Sequence, residues 1–438
     1  MKVAKFGGSS LADAEQFIKV KKIIESDPGR LFIVPSAPGK RNPEDKKITD
    51  MLIECFNLSS KGESIDSLFG EISGRFIEIA QKLNIDAKML INELKNIEKK
   101  ISEGATHSYA ASRGEYLNAI LLSDYIGFPF VDAKDVIRFN KDGSLNHDKT
   151  HSLIQEKLLP LGRAVVPGFY GYDENGNCHV FSRGGSDVTG ALIARGINAD
   201  IYENWTDVCG FRAADPKIVP DSKFIQQMTY RELRELSYMG ASVLHEDAVF
   251  PVRNAGIPTQ ILNTNDPLHP GTIINYLPQY STKAPLITGI AGKKGFTAIM
   301  IEKVHMNAES GFGRRVLQVL EKNNLNFDHM PTGIDSMSIV LPTDSLSPYK
   351  STIRQDIINE TQADSVTFTD NLAMVAVVGV GMSKKIGIAA RLFTALSAQG
   401  IMINSIVFAP NELSLIIGIN EKDLEKTISM LYDSFMRD

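Results

Sequence analysis

Up to about residue 275, short apolar runs alternate with segments of helical spacing. "LFIVPSA" (31–37), "PFVDA" (129–133), "RAVVPGF" (163–169) and "ADIYENWTDV" (199–208) predict buried strands. Between them, Ile18, Ile23 and Ile24, and later Leu117, Ile120, Leu121 and Leu122, fall at helical spacing. Strands that alternate with helices predict an α/β domain, a mainly parallel sheet covered on both faces. Residues from about 60 to 104, rich in Glu, Lys, Ile and Leu and free of proline, predict a helical insertion that serves as scaffold.

Beyond this the texture changes. "LPQYSTKAPL" (277–286), polar and with two prolines, reads as a linker. After it, "VLQVLEKNNLNFD" (316–328) aligns with "LFTALSAQGIMIN" (392–404). The offset is constant, since Leu320 to Leu396 and Asn324 to Gly400 are both 76 residues apart. Each copy reads strand, helix, strand, strand, helix, with a final strand plausible only in the first. "FTAIMIEKV" (296–304) opens the first copy and "AMVAVVGV" (373–380) the second. The expected division is therefore 1–284, then 285–438 holding two α+β modules at about 296–370 and 371–438, in tandem or interleaved. An oligomerisation module would show the same pattern.

Composition narrows the classes. The 438 residues carry 47 basic and 52 acidic side chains, a net charge of -5, which argues against a nucleic-acid partner. Cys55, Cys178 and Cys209 share no metal-ligand spacing and suit a reducing compartment. No apolar run is long enough to span a bilayer, and Lys2 and Lys5 interrupt the first one where a signal peptide would need it whole. A cytoplasmic protein is expected.

Two glycine pairs carry the candidate chemistry. "KFGGSS" (5–10) follows a strand and precedes a helical pattern, so the N–H groups around Gly7 and Gly8 suit either an anion or an ordinary turn. It is not the Walker pattern, which places its lysine after the glycines. "FSRGGSDVTGALIARG" (181–196) repeats the arrangement, with Arg183 and Asp187 flanking Gly184 and Gly185; there Ser186 or Asp187 is equally readable as a helix N-cap. A third polar strand end holds Thr206 and Asp207. Ligands of open α/β sheets gather at such ends. If the ligand is a nucleotide, Lys5 faces the transferred phosphoryl, the glycine backbones hold its oxygens and Asp187 orients Lys5. Mg²⁺ would then be held mostly by nucleotide and water, with no protein metal cluster required.

The motifs together resemble one family. "KFGGSS", "PSAPGKRNPEDKKITDML", "SRGE", "PGFYG", "SRGGSDVTGALIA", "WTDVCGF" with "ADPK", and "MGASVLHEDAVFP" stand in the order typical of aspartate kinases. The repeat resembles their paired ACT domains, and the length resembles the monofunctional members. The resemblance implies an amino-acid kinase fold and phosphorylation of the side-chain carboxylate of L-aspartate by ATP. That reaction opens lysine, threonine and methionine biosynthesis. An aspartate carboxylate is ionised at neutral pH, so the chemistry needs no general base, and His245 is expected to be structural.

Carried over residue by residue, Lys5 and Asp187 resemble the catalytic pair. Ser36, Thr49, Glu115, Phe169, Arg183 and Ser186 resemble substrate contacts, with Arg183 on the α-carboxylate and Glu115 on the α-ammonium. Gly7, Gly8, Gly184, Gly185, Thr206, Asp207, Arg212 and Lys217 fall at nucleotide positions. Arg212, Lys217 and Ser242 depart from the usual tyrosine, arginine and lysine, and Pro35 replaces an aliphatic residue. In the first ACT module the resemblance implies an amino-acid site at Met306, Gly311, Phe312, Asp328 and Thr332, with lysine the favoured effector and threonine second. It also implies a homodimer or homotetramer built through that region. The competing reading is an amino-acid sensor with a decayed kinase site.

Overall fold

In the computed structural model the predicted alternation becomes a seven-stranded sheet. Its strands are β1 (Lys2–Phe6), β2 (Arg30–Pro35), β3 (Ala164–Val165), β6 (Ile201–Thr206), β7 (Gln227–Thr229), β8 (Thr259–Asn263) and β9 (Thr272–Asn275). They lie in the order β3-β2-β1-β6-β8-β9-β7. Every neighbouring pair is parallel except β8 and β9. β4 (Tyr170–Tyr172) and β5 (Cys178–Val180) form a separate hairpin. The structure describes residues 1–182, 184–241, 244, 246–276, 286–382, 385–408 and 413–437. They divide into two units, one spanning 1–211, 224–230 and 243–279, the other 212–223, 231–242 and 280–438.

One face of the central strands packs on a helical cluster. Phe6 and Trp205, stacked at 5.9 Å, join buried residues of α1 (Ala14–Glu25), α2 (Ile48–Ser60), α3 (Asp66–Lys82), α4 (Lys88–Ser102) and α5 (His107–Ile126) in one core. The helical insertion is thus α3 and α4. α5 starts where the Thr106 hydroxyl accepts the Tyr109 N–H at 3.2 Å and stops at Gly127, whose φ of 70° is left-handed. It is buried on nearly every side, although it carries Ser112, Arg113, Glu115 and Asn118. The opposite face of β1 and β6 receives α8 (Gly185–Gly196), where Gly190 lets the Tyr202 ring approach; a Cβ there would stand 2.6 Å from it.

Two predicted strands shrink. In "PFVDA" only Phe130 makes a bridge, to Val165, because the Asp132 carboxylate accepts the Lys134 N–H at 3.0 Å and turns the chain into a short helix. "RAVVPGF" keeps a strand only at Ala164–Val165; Pro167, without an N–H, cannot extend the ladder. Pro35 is accommodated as the last residue of β2, its carbonyl accepting the Gly168 N–H at 3.2 Å.

The second unit is a five-stranded antiparallel sheet. β10 (Gly289–Glu302), β11 (Ser336–Pro342), β12 (Ser365–Val378), β13 (Ile403–Val407) and β14 (Ser414–Asn420) lie in the order β11-β10-β12-β14-β13. β10 and β12, each 14 residues long, begin 76 positions apart, and so do the helices Phe312–Lys322 and Ile388–Ala398. Gly295 and Asn371, also 76 apart, take positive φ values of 88° and 57° within the long strands. In β10 that point also marks a register shift, so its two halves pair separately. Residues 289–294 of β10 pair with 373–378 of β12. This pairing lays a strand that is upstream of the first copy beside the opening strand of the second, which has no final strand of its own in the sequence.

Candidate active site

Parallel pairing of β1 with β6 sets Lys5 opposite Asn204, both on the face that carries α8. There Lys5 Nζ stands 2.6 Å from Asp187 Oδ1, in the first turn of α8. Asn204 Nδ2 donates to the same oxygen at 2.9 Å, and the Tyr202 hydroxyl donates to the Asp187 carbonyl at 3.1 Å. Lys5 is only 8 % exposed. Sequence reasoning missed Asn204: nothing in "ENWTDV" marks it, and strand register alone brings it to the pair.

The glycine turns close around this pair. The Gly7 N–H donates to Trp205 O at 2.9 Å, so it belongs to the sheet and is not open to a ligand. The Gly8 and Ser9 N–H groups have no acceptor among the described residues, while Ser10 N–H bonds back to Gly7 O at 3.0 Å. Gly8 must be glycine because a Cβ there would meet Ala37 O at 2.8 Å; Gly39, facing it, would meet Gly8 C at 2.6 Å. At α8 the N-cap is Gly184 with φ 56°, and neither Ser186 nor Asp187 caps the helix. Its first helical hydrogen bond runs from Val188 N–H to Gly184 O at 2.9 Å, leaving the Gly185, Ser186 and Asp187 N–H groups outside the ladder. Such a helix start attracts anions.

The residues matched to substrate contacts come from four segments. Ser36 follows β2 half-buried, its N–H donating to Phe6 O at 3.0 Å, and Thr49 lies half-buried in the first turn of α2. Glu115 on α5 is 6 % exposed, its Oε2 has no hydrogen-bond partner among the described residues, and burial pushes its pKa up to about 7. Phe169 holds a φ of 80°, uncommon for a bulky residue, and its N–H donates to the buried Thr189 hydroxyl at 3.1 Å. Ser186 packs so closely that a Cβ on Gly168 would stand 2.6 Å from its hydroxyl. Thr206 and Asp207 sit at the end of β6, the Thr206 hydroxyl donating to Asp207 at 3.1 Å. Arg212 and Lys217 fall in the second unit, where the Arg212 guanidinium donates to Ser222 O at 2.7 Å and Lys217 is exposed. Arg183, Ser242 and His245 lie outside the described residues.

Residues 1–263 match the amino acid kinase family, and residues 375–435 match the ACT domain. Aspartokinase 3 of Bacillus subtilis (strain 168) is 38 % identical over 453 residues, covering 99 % of this chain and 98 % of that protein. The chain belongs to the aspartokinase family. The crystal structure of the Clostridium acetobutylicum aspartate kinase superposes with a TM-score of 0.95 at 48 % identity, covering 99 % of this chain and all of that one. Escherichia coli aspartokinase III shares the fold at 24 % identity. Its complex with aspartate and ADP gives a TM-score of 0.77 over 100 % of both chains. Its complex with lysine and aspartate gives 0.76 over 100 % of this chain and 99 % of that one.

In the ACT region of this aspartokinase the five effector candidates separate into two kinds. Met306 and Phe312 are buried in the module's core with Val316, Val319 and Leu320. Gly311, Asp328 and Thr332 are not. Gly311, with φ 80°, starts the helix without a side-chain cap, and Thr332 is exposed. Asp328 is half-buried, its carboxylate has no partner among the described residues, and its pKa is pushed up to about 6 by burial. The 76-residue offset puts Asn404 at the same place in the second module, without the charge.

Proposed function

We propose that this chain is an aspartate kinase that carries the γ-phosphoryl group of ATP to the side-chain carboxylate of L-aspartate, giving 4-phospho-L-aspartate and ADP. The observation that carries this reading is Lys5 Nζ at 2.6 Å from Asp187 Oδ1, between two glycine turns with open N–H groups. One aspartate carboxylate oxygen forms the new P–O bond as the bond to the β-phosphate oxygen breaks. The nucleophile is already ionised, so no proton moves to a base. Lys5 meets the negative charge spread over the phosphoryl oxygens, and the N–H groups of Gly8, Ser9 and Gly185 receive phosphate oxygens. Mg²⁺ enters with ATP, held mainly by its phosphates and water. Glu115 takes the α-ammonium and Arg183 the α-carboxylate, while Thr206 and Asp207 lie toward the nucleoside.

The same reading makes the first ACT module an effector site, where Asp328 receives an amino-acid ammonium. Lysine is the effector we favour and threonine the second, in keeping with the lysine complex of the E. coli protein. Inhibition then requires two global states that bind the effector unequally. We place the protein in the cytoplasm, at the start of lysine, threonine and methionine synthesis, as a homodimer or homotetramer paired through its ACT modules.

An aspartyl-hydroxamate assay with Mg·ATP tests this. Product is expected only with aspartate present, lost in Lys5→Ala and suppressed by lysine. A folded wild type that binds lysine yet makes no hydroxamate would instead identify an amino-acid sensor.

A further inference from the structure

α5 holds two buried oxygens without partners among the described residues, Glu115 Oε2 and Asn118 Oδ1. The residues are three apart and so share a helix face. Both face the residues that follow β2: the Ala37 N–H draws the Glu115 pKa down against the rise that burial causes, and Asn118 Nδ2 donates to Ser36 O at 2.6 Å. A carbonyl only accepts, so the Ser36 contact dictates which way round the amide lies and turns Oδ1 away from β2. Asn118 is 0 % exposed, and a buried acceptor left empty is costly. An ionised Glu115 cannot satisfy it, since both groups then only accept.

The neighbouring cation does not fill the gap either. The Arg113 guanidinium lies over the rings of Tyr109, Tyr116 and Tyr170 at 4.5–4.8 Å and donates to Tyr109 O and Ser112 Oγ. What fits two such acceptors on one helix face, one of them a carboxyl that ionises to receive it, is a cation with several hydrogens on one atom. A primary ammonium has that form.

We propose that Asn118 Oδ1 is the second acceptor for the substrate α-ammonium group, beside Glu115, and so a specificity residue for α-amino dicarboxylates over plain ones. This rests on the aspartate kinase reading above. The amide has two tasks, because its Nδ2 also fixes the Ser36 carbonyl at the mouth of the site.

The test compares aspartate with succinate, which has the same two carboxylates and no ammonium. In full-length Asn118→Ala, KM for aspartate is expected to rise about tenfold or more while KM for ATP stays within twofold. Inhibition by succinate should weaken far less, through the lost Ser36 contact alone, so discrimination between the two narrows by most of that factor. Equal losses for aspartate and succinate would mean a purely structural amide and overturn the proposal, as would an unaltered KM for aspartate. Should Asn118→Ala fail to fold, Asn118→Ser is measured in its place. Should the wild type make no acyl phosphate, the parent reading fails, but calorimetric binding of aspartate and succinate to wild type and variant still decides this one.

Discussion

Strands β1, β2 and β6 carry charges at both ends, and the two ends follow opposite rules. Where β1 and β2 begin, Glu203 is 1 % exposed and saturated. Arg30 Nε reaches it at 2.7 Å, Trp205 Nε1 at 2.9 Å and Lys2 Nζ at 3.2 Å. Arg30 also lies over the Trp205 ring, and Lys2 has a second acid in Asp27 at 2.7 Å. Where the same strands end, Lys5 has Asp187 and Asn204, but the surroundings are left open: among the described residues Glu115 Oε2 and Asn118 Oδ1 are buried without partners, and N–H groups of both glycine turns lack acceptors. Both ends hold a lysine against a carboxylate, so an ion pair alone does not distinguish a scaffold from a site. Saturation does. A buried network with every partner present stabilises the fold, whereas orphaned groups are tolerated where a ligand completes them.

The comparison can be broken by substitution. The largest effect is expected at the open end, where Lys5→Ala should lower hydroxamate formation about a thousandfold, roughly 4 kcal/mol in the barrier, with the denaturation midpoint nearly unchanged. At the closed end, Glu203→Ala leaves the Arg30 guanidinium without its acid and the Trp205 indole without its acceptor, and should cost about 3–5 kcal/mol of stability in urea titration, with kcat of the folded protein retained. If Glu203→Ala instead spared stability and abolished turnover, the distinction would fail.

A smaller effect tests how the open end is held. Arg75, projecting from α3 and 6 % exposed, donates to Gly39 O and Lys46 O, both at 2.8 Å, and lies 3.5 Å from Asp45. It ties down both ends of the loop whose Gly39 packs on Gly8. Arg75→Met is expected to raise KM for ATP by about tenfold, near 1.4 kcal/mol, and Arg75→Lys to recover part of that. Equal KM values with a lowered melting temperature would reduce Arg75 to packing.

The last test is a pH dependence of stability. Burial raises Glu115 from its ordinary 4.5 to about 7, so the folded, ligand-free protein holds a proton that the unfolded chain releases. Stability should therefore fall as pH rises from about 4.5 through about 7, and Glu115→Gln should remove that slope. Thermal midpoints of both proteins between pH 4 and 8 check it. For the same reason kcat/KM for aspartate should rise through about pH 7, as the carboxylate that receives the ammonium forms.

Local signals made much of this readable along the chain. Lys5, Gly8, Gly184, Gly185 and Asp187 announce themselves because strand, glycine pair and helix start are contiguous, and the fold then places Lys5 against Asp187. The silent residues come from distant elements. Asn204 reaches the pair through strand register, Thr189 meets the Phe169 N–H across 20 positions, and Arg75 acts from an insertion that reads as plain scaffold. "PFVDA" misled because an N-cap competed with an apolar run, and the strand that lies beside the second module's opening strand was hidden because it precedes the first module.

The order of amino acids determined the alternation of strands and helices, the glycine turns and the 76-residue repeat, since each depends on neighbours within a few positions or on a spacing visible in the string. Only the tertiary structure decided which polar groups are spent and which remain open. Gly7 and Gly8 are identical in sequence, yet one N–H completes the ladder at Trp205 and the other has no acceptor among the described residues. Glu203 and Glu115 are the same acid, one ringed by donors and the other left with an oxygen unpartnered among the described residues. The physical reason is that hydrogen-bond satisfaction and burial are set by partners that the fold brings up, most of them distant along the chain, and no local pattern records them.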